Sequence, residues 1–105
     1  MVIVETSLFT RRVRSLLDDD EYQLLQLALV QNPHAGTVIQ GTGGLRKLRW
    51  SGLGRGKRGG VRIIYYWFAS RDRLLMLMIF AKNEQVDLTS DQRKSLRSIV
   101  EEELK

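Results

Sequence analysis

Residues 61–80 read VRIIYYWFASRDRLLMLMIF, and they give the strongest indication of the fold class. Residues 61–68 are rich in β-branched and aromatic side chains, and residues 74–80 are apolar throughout. The pattern predicts two strands joined by a polar turn at residues 70–73. A strand that is apolar at every position is expected to be central in its sheet and covered on both faces.

The segment before this hairpin predicts one strand and two helices. Residues 2–4 are β-branched, and Ser7 can cap a first helix. An acidic run at residues 18–21 suits the start of a second helix, because negative charge is favourable near a helix N-terminus. Asn32-Pro33 ends that helix. The apolar positions that recur at helical spacing on the two helices are Phe9, Val13, Leu16, Leu17, Tyr22, Leu24, Leu25, Ala28 and Leu29.

A further strand and helix complete the predicted order β-α-α-β-β-β-α. Residues 45–50 alternate between polar and apolar, and Thr89 with Gln92 forms a capping box that opens a final helix. The inward positions predicted for that helix are Leu96, Ile99, Val100 and Leu104. The order predicts a single α+β domain over residues 1–105, with a helical hairpin packed on a small, mainly antiparallel sheet.

The composition excludes several classes of protein. The chain has 105 residues and no cysteine, so disulfides and thiolate metal sites are excluded. No apolar run reaches the roughly 18 residues of a membrane span, and no signal peptide is recognisable, so we expect a cytoplasmic protein. The only histidine, His34, follows Pro33 in a predicted loop and lacks a nucleophile beside it. We expect no metal and no cofactor, since the carboxylates cluster at helix starts or on the last helix.

The positive charge is concentrated in the middle of the chain. Residues 41–73 carry nine Lys and Arg against one acid, whereas residues 1–40 and 74–105 each carry a small negative net charge. A segment of one sign attracts polyanions such as nucleic acids. The alternative is a solvated basic surface that serves solubility alone.

Cations on neighbouring predicted strands are the candidate site. Alternation puts Lys47 and Arg49 on one face of their strand, and Arg62 starts the next strand after a glycine-flanked hairpin. Lys82 follows the final strand at the same end of the sheet. We expect catalysis from Arg62, Lys47, Lys82 and Arg49, and RNA contacts from Arg46, Arg55, Lys57, Arg58, Tyr66 and Asn83.

Clustered cations suit phosphoryl transfer on RNA for definite reasons. Arginine forks stabilise the negative charge that gathers on phosphate oxygens in the pentacovalent transition state. A lysine crowded by other cations loses its proton more easily and can act as a general base. Tyr66 or Trp50 could stack an unpaired base. Many basic sheets nevertheless bind nucleic acid without cutting it, and Arg62 could be an ordinary strand-edge cation.

Three segments together resemble a known family: GTGGLRKLRW at residues 41–50, GKRGGVRIIYYW at 56–67 and IFAKNEQVDLTSDQRKSLRSIV at 79–100. They are similar, in order and along nearly the whole chain, to the HigB-type branch of the RelE/ParE superfamily of bacterial toxins. The resemblance implies a small α+β domain that enters the ribosomal decoding site and cleaves mRNA without metal, by attack of a 2′-hydroxyl on its neighbouring phosphate.

The resemblance also implies roles for particular residues. Lys47 and Arg49 fall where the family has basic residues on a strand, Arg62 falls on a strand arginine expected to bind phosphate, and Lys82 falls in the basic segment after the last strand. Two positions depart from the RelE pattern, with Asn83 in place of an arginine and Thr89 in place of a tyrosine. The general base is therefore left between Lys47 and Lys82.

The partners implied are the ribosome, mRNA and a cognate antitoxin of the helix-turn-helix type, with the chain either monomeric or in a toxin–antitoxin complex. Two other functions remain open. ParE-like members of the superfamily poison DNA gyrase, and a non-catalytic nucleic-acid-binding module could act only together with an antitoxin.

Overall fold

The hairpin expected from residues 61–80 lies inside the sheet of a computed structural model that describes residues 1–50 and 60–105. Within these ranges the strands form one five-stranded sheet in the order β1-β5-β4-β3-β2. The predicted α+β class is confirmed. The elements are β1 (Val2–Glu5), α1 (Ser7–Leu16), α2 (Asp19–Gln31), β2 (Thr37–Val38), β3 (Arg46–Trp50), β4 (Val61–Phe68), β5 (Arg73–Ala81) and α3 (Ser90–Leu104).

The sheet differs from the prediction at its two edges. At one edge β1 pairs with β5 in parallel, with Val4 opposite Leu75, so the sheet is mixed. At the other edge β2 pairs with β3, and the predicted order lacked this strand. Two exposed residues, Thr37 and Val38, are too few to show an alternating pattern, which is why the sequence did not reveal β2.

The β4–β5 hairpin turns through a short 3-10 helix, Ala69–Arg71, followed by Asp72 in the left-handed region with φ of 49°. Aspartate tolerates this conformation better than most residues. Further along, Ile64 pairs with Met78 whereas Tyr65 pairs with Met76, so β5 carries one extra residue at this point. This β-bulge shifts the alternation of side chains in the last part of β5.

The described core consists of two clusters, one on each face of the sheet. The helical hairpin α1–α2 covers the face of the first cluster, and α3 covers the face of the second. The first cluster contains Phe9, Val13, Leu17, Leu25, Leu29, Val61, Ile63, Tyr65, Leu74, Met76 and Ile79. The second contains Ile39, Leu45, Ile64, Phe68, Leu75, Leu77, Met78, Phe80, Leu88, Leu96 and Val100. As expected, β5 is an interior strand that is covered on both faces.

The helix starts follow the predicted capping chemistry with one correction. Thr6, and not Ser7, caps α1, because its hydroxyl accepts from Phe9 N (3.1 Å) and also donates to the β5 carbonyl of Leu77 (2.8 Å). The capping box of Thr89 with Gln92 on α3 is confirmed.

The inward stripe of α3 is narrower than predicted. Leu96 and Val100 are buried, whereas Ile99 is 37% and Leu104 49% exposed. On α2, Leu24 is also partly exposed. Within the described residues, no helix is long and apolar enough to cross a membrane.

Candidate nucleic-acid interface

The strand β3 presents its polar side chains on one face of the sheet. Leu48 and Trp50 pack against the first cluster, so Lys47 and Arg49 lie on the opposite face, the face that α3 covers in part. Lys47 is opposite Ile64 of β4, a member of the second cluster. The predicted pairing of these strands and the predicted faces of β3 are therefore confirmed.

Arg49 and Arg62 are directly opposite each other across the β3–β4 pair. Side chains in this position have Cβ atoms roughly 4.5–5.5 Å apart, and like charges there repel. Arg49 is exposed, whereas Arg62 is only 8% exposed and donates a long hydrogen bond of 3.4 Å to the carbonyl of Val61. A guanidinium group can bind two oxygens of one anion through its fork of N–H donors. We call the surface formed by Lys47, Arg49 and Arg62 the cationic face.

Lys47 has an anionic neighbour that the sequence did not suggest. Its Nζ lies 3.5 Å from Oδ1 of Asp87, and Arg93 Nη2 lies 3.6 Å from Oδ2 of the same carboxylate. The backbone N–H of Leu88 donates to Asp87 (2.8 Å), and this hydrogen bond, with the charges of Lys47 and Arg93, lowers the pKa of the Asp87 carboxyl. Lys47 therefore has an anionic neighbour, Asp87, in addition to the cations that the sequence predicted beside it.

Lys82 and Asn83 are exposed in the turn that follows β5. The backbone N–H of Lys82 donates to the carbonyl of Gly60 (3.2 Å), so the turn lies at the end of the sheet where β4 begins, as predicted. Glu84 closes the turn by accepting from the N–H of Ala81 (2.8 Å). One nitrogen of Arg12 on α1 donates to both carboxylate oxygens of Glu84 (2.5 and 2.7 Å), which ties the turn to α1.

Arg46 lies on the other face of β3 from Lys47, because it alternates with it along the strand. Its Nη1 donates to the carbonyl of Gly36 (2.8 Å), and its Nη2 lies 3.2 Å from Nδ1 of His34. The His34 ring also makes an edge-to-face contact with Trp67. The structure therefore does not bring Arg46 together with the cationic face.

Tyr66 shares the face of Arg62 but lies four residues further along β4, roughly 13 Å away at the usual strand rise. Its ring packs edge to face on Phe68, and a Cβ added to Gly44 would lie 3.1 Å from it. Gly44 has φ of 113°, a conformation that other residues rarely adopt. Tyr66 is thus half buried in the second cluster, and Trp50 packs against the first cluster.

Three of the expected RNA contacts, Arg55, Lys57 and Arg58, lie outside the described residues. Thr89, at the position where the RelE pattern has a tyrosine, accepts from the backbone N–H of Gln92 (3.1 Å) as the cap of α3. Its hydroxyl therefore has a structural role.

Sequence reasoning missed Arg93 and Asp87 as members of this surface. A signal for Arg93 was present, because it precedes Leu96 by three residues and Val100 by seven, and this spacing places it on the inward stripe of α3. Asp87 directly precedes the buried Leu88, which fixes its position beside β3. No pattern in the sequence indicated that Asp87 would reach Lys47.

Among the described residues, no group of three or more His, Asp or Glu side chains is arranged to hold a metal ion. A search of the sequence against models of known protein families found no match. The resemblance to RelE-type toxins therefore remains a prediction.

Proposed function

We propose that the chain binds RNA on its cationic face and cleaves it, as the ribosome-dependent, metal-independent endoribonuclease toxin of a toxin–antitoxin pair. The observation that carries this proposal is the cross-strand pair of Arg49 and Arg62, with Lys47 two residues along the same face. Fixed cations in this arrangement suit a phosphate whose negative charge increases in the transition state.

In the proposed reaction, the 2′-oxygen of one ribonucleotide attacks the adjacent phosphorus, and the bond from phosphorus to the 5′-oxygen of the next nucleotide breaks. A base removes the 2′ proton, and an acid supplies a proton to the leaving oxygen. Arg62 and Arg49 would hold the phosphate oxygens. Of the two candidate bases, Lys47 is already held near Asp87, whereas Lys82 makes no ion pair with any described residue, and this contrast favours Lys82.

The decisive experiment is primer extension on a reporter mRNA in a cell-free translation system. Wild-type chain should produce discrete cuts within the translated region that require ribosomes. Arg62→Gln should lose these cuts, and Arg62→Lys should restore them only in part, because a lysine keeps the charge but not the fork. Arg11→Gln, which removes an exposed cation from α1, is the matched control and should cut normally. Cutting by Arg62→Gln at the wild-type rate would contradict the proposal.

A non-catalytic RNA-binding module is the second candidate. It is favoured by the carboxylate of Asp87 beside Lys47 and by Thr89 and Asn83 at positions where the RelE pattern has tyrosine and arginine. Intact mRNA with stable RNA binding would select this alternative, and gyrase-dependent DNA breaks would select the ParE-like activity. In the leading proposal a cytoplasmic, helix-turn-helix antitoxin silences the chain by covering the cationic face.

A further inference from the structure

Lys47, Asp87 and Arg93 surround an open pocket between β2 and the start of α3. The pocket has a volume of about 320 Å³ and is also lined by Thr37 and Gln40. Lys47 borders a second pocket as well, which extends toward Arg49 on the cationic face. The three charged groups therefore lie next to the proposed RNA surface and in contact with solvent.

The two ion pairs in this group are loose. Charge-assisted hydrogen bonds between nitrogen and carboxylate oxygen are usually about 2.7–2.9 Å long. Here the Asp87 carboxylate lies 3.5 Å from Lys47 and 3.6 Å from Arg93, and all three side chains are between 26% and 44% exposed. Such exposed pairs are weak and easily exchanged.

The donors of Lys47 and Arg93 are not used elsewhere within the described residues. Apart from Asp87, neither side chain has an acceptor among the described residues, and the buried Nε of Arg93 has no partner there. A phosphate has more oxygen atoms and more charge than a carboxylate, so it can satisfy both cations more fully.

We propose that Lys47 and Arg93 form a second phosphate subsite, and that Asp87 occupies this subsite until an RNA phosphate displaces it. The inference rests on the proposed function, because it assigns to the neighbouring phosphate of the same RNA strand a place beside the cationic face. Asp87 then acts as an internal competitor. It lowers the affinity for stray polyanions and gives way to an RNA that also reaches Arg49 and Arg62.

The test is a double-mutant cycle on RNA binding, measured by fluorescence anisotropy with a short single-stranded RNA that carries 2′-O-methyl groups and cannot be cleaved. Asp87→Asn should tighten binding about fivefold at low ionic strength, because it removes the competing charge and leaves an oxygen for the Leu88 N–H. Arg93→Gln should weaken binding and reduce the slope of log K against log salt by about 0.7, the value for one contact with a single strand. In the double variant, the gain from Asp87→Asn should largely disappear.

Matched controls on α3, close to Arg93 and Asp87, separate the subsite from general electrostatics. Asp91→Asn and Lys94→Gln make the same charge changes on exposed residues of α3 and should shift the affinity less than twofold. Equal effects of Asp87→Asn in the wild-type and Arg93→Gln backgrounds, or effects equal to those of the controls, would overturn the inference while RNA binding itself stands.

A second measurement keeps the inference separate from the proposed function. Inorganic pyrophosphate is titrated into the labelled protein, and the backbone amide of Leu88 and the Nε of Arg93 are followed by NMR. Shifts at both groups without RNA binding would retain the anion subsite and refute the RNA-cleaving proposal. If RNA binds but neither RNA nor pyrophosphate perturbs these groups, the second subsite is refuted and the proposed function stands.

Discussion

The central strands β4 and β5 differ in burial and charge from β3 and β2, the two strands that complete one side of the sheet. Along β4 and β5 most residues are buried and apolar, whereas every residue of β2 and β3 is at least partly exposed and three of the five residues of β3 are cations. Buried apolar surface and exposed positive charge are therefore carried by different strands of one sheet. Arg62 is the exception, since it is a cation that is buried within β4.

The largest loss of stability is expected for a mutation in the central strands β4 and β5. Leu77 of β5 is fully buried, and Leu77→Ala should lower the free energy of unfolding by about 2–5 kcal/mol, because it removes apolar contacts and leaves a cavity. Urea denaturation followed by circular dichroism measures this change. Val86→Ala, at a residue that is 84% exposed, is the control and should change little. A decrease of less than about 1 kcal/mol in the free energy of unfolding of Leu77→Ala would contradict this role of the buried strand.

The buried Arg62 of β4 is expected to serve RNA cleavage and not the stability of the sheet. Arg62→Met keeps most of the side-chain volume and removes the charge, so mRNA cleavage should fall by about 100-fold, the effect of losing one transition-state ligand. A loss of cleavage is assigned to the missing charge only where the variant stays folded, because removing a buried charge also changes the free energy of unfolding. Primer extension and urea denaturation on the same preparation separate the two. Unfolding of the variant with unchanged cleavage per folded molecule would assign Arg62 to the interior instead.

A smaller loss of stability is expected at Tyr65, whose hydroxyl holds the loop at residues 33–36. The buried Tyr65 hydroxyl accepts from the N–H of Gly36 (2.8 Å) and donates to the carbonyl of Pro33 (2.7 Å). Burial raises the pKa of Tyr65, so the hydroxyl stays protonated as the donor. Tyr65→Phe leaves both backbone groups without this partner and should lower the free energy of unfolding by about 1–3 kcal/mol. Thermal denaturation with Tyr66→Phe as control checks this.

The smallest change in stability is expected for the ion pair between Arg12 and Glu84, which holds the turn after β5. The hydrogen bond from Arg12 lowers the pKa of the Glu84 carboxyl below its ordinary value, so the native state favours the ionised form. The stabilisation is present above the carboxyl pKa of the unfolded chain, about 4.3, and is lost as the pH falls through the lower native value. Both side chains are more than a third exposed, so the contribution at neutral pH should be at most about 0.5 kcal/mol.

Comparing Arg12→Gln with wild type from pH 7 to pH 2.5 tests this sign. The difference in unfolding free energy should be present at pH 7 and should vanish at the acidic end. A difference that grows on acidification would contradict the assigned direction.

The sequence predicted the parts of the fold that have strong local signals. The bounds of β4 were correct because its β-branched and aromatic run ends at polar residues, and the cap at Thr89 was correct because the spacing to Gln92 is specific. The parallel pairing of β1 was not predictable in the same way, since it depends on contacts of Val4 with β5, some 70 residues later in the chain.

The candidate site was predictable only where it follows strand alternation. Lys47, Arg49 and Arg62 share a face because residues two apart on a strand point the same way and the register aligns β3 with β4. Asp87 and Arg93 lie on a loop and on a helix whose positions against β3 depend on tertiary packing, so a reading of local patterns did not include them.

The bulge in β5 determines where the chain can lose one residue and still keep its strand register. Leu77 and Met78 both contribute to the second cluster, so this strand has one residue more than regular pairing with β4 requires. Removing one of the two would restore a regular ladder and keep Phe80 beside Arg62. A deletion elsewhere in β5 would instead turn the residues between the deletion and the bulge to the wrong face. A one-residue deletion at this point would therefore lose a buried side chain and lower the stability, but the cationic face would keep its register.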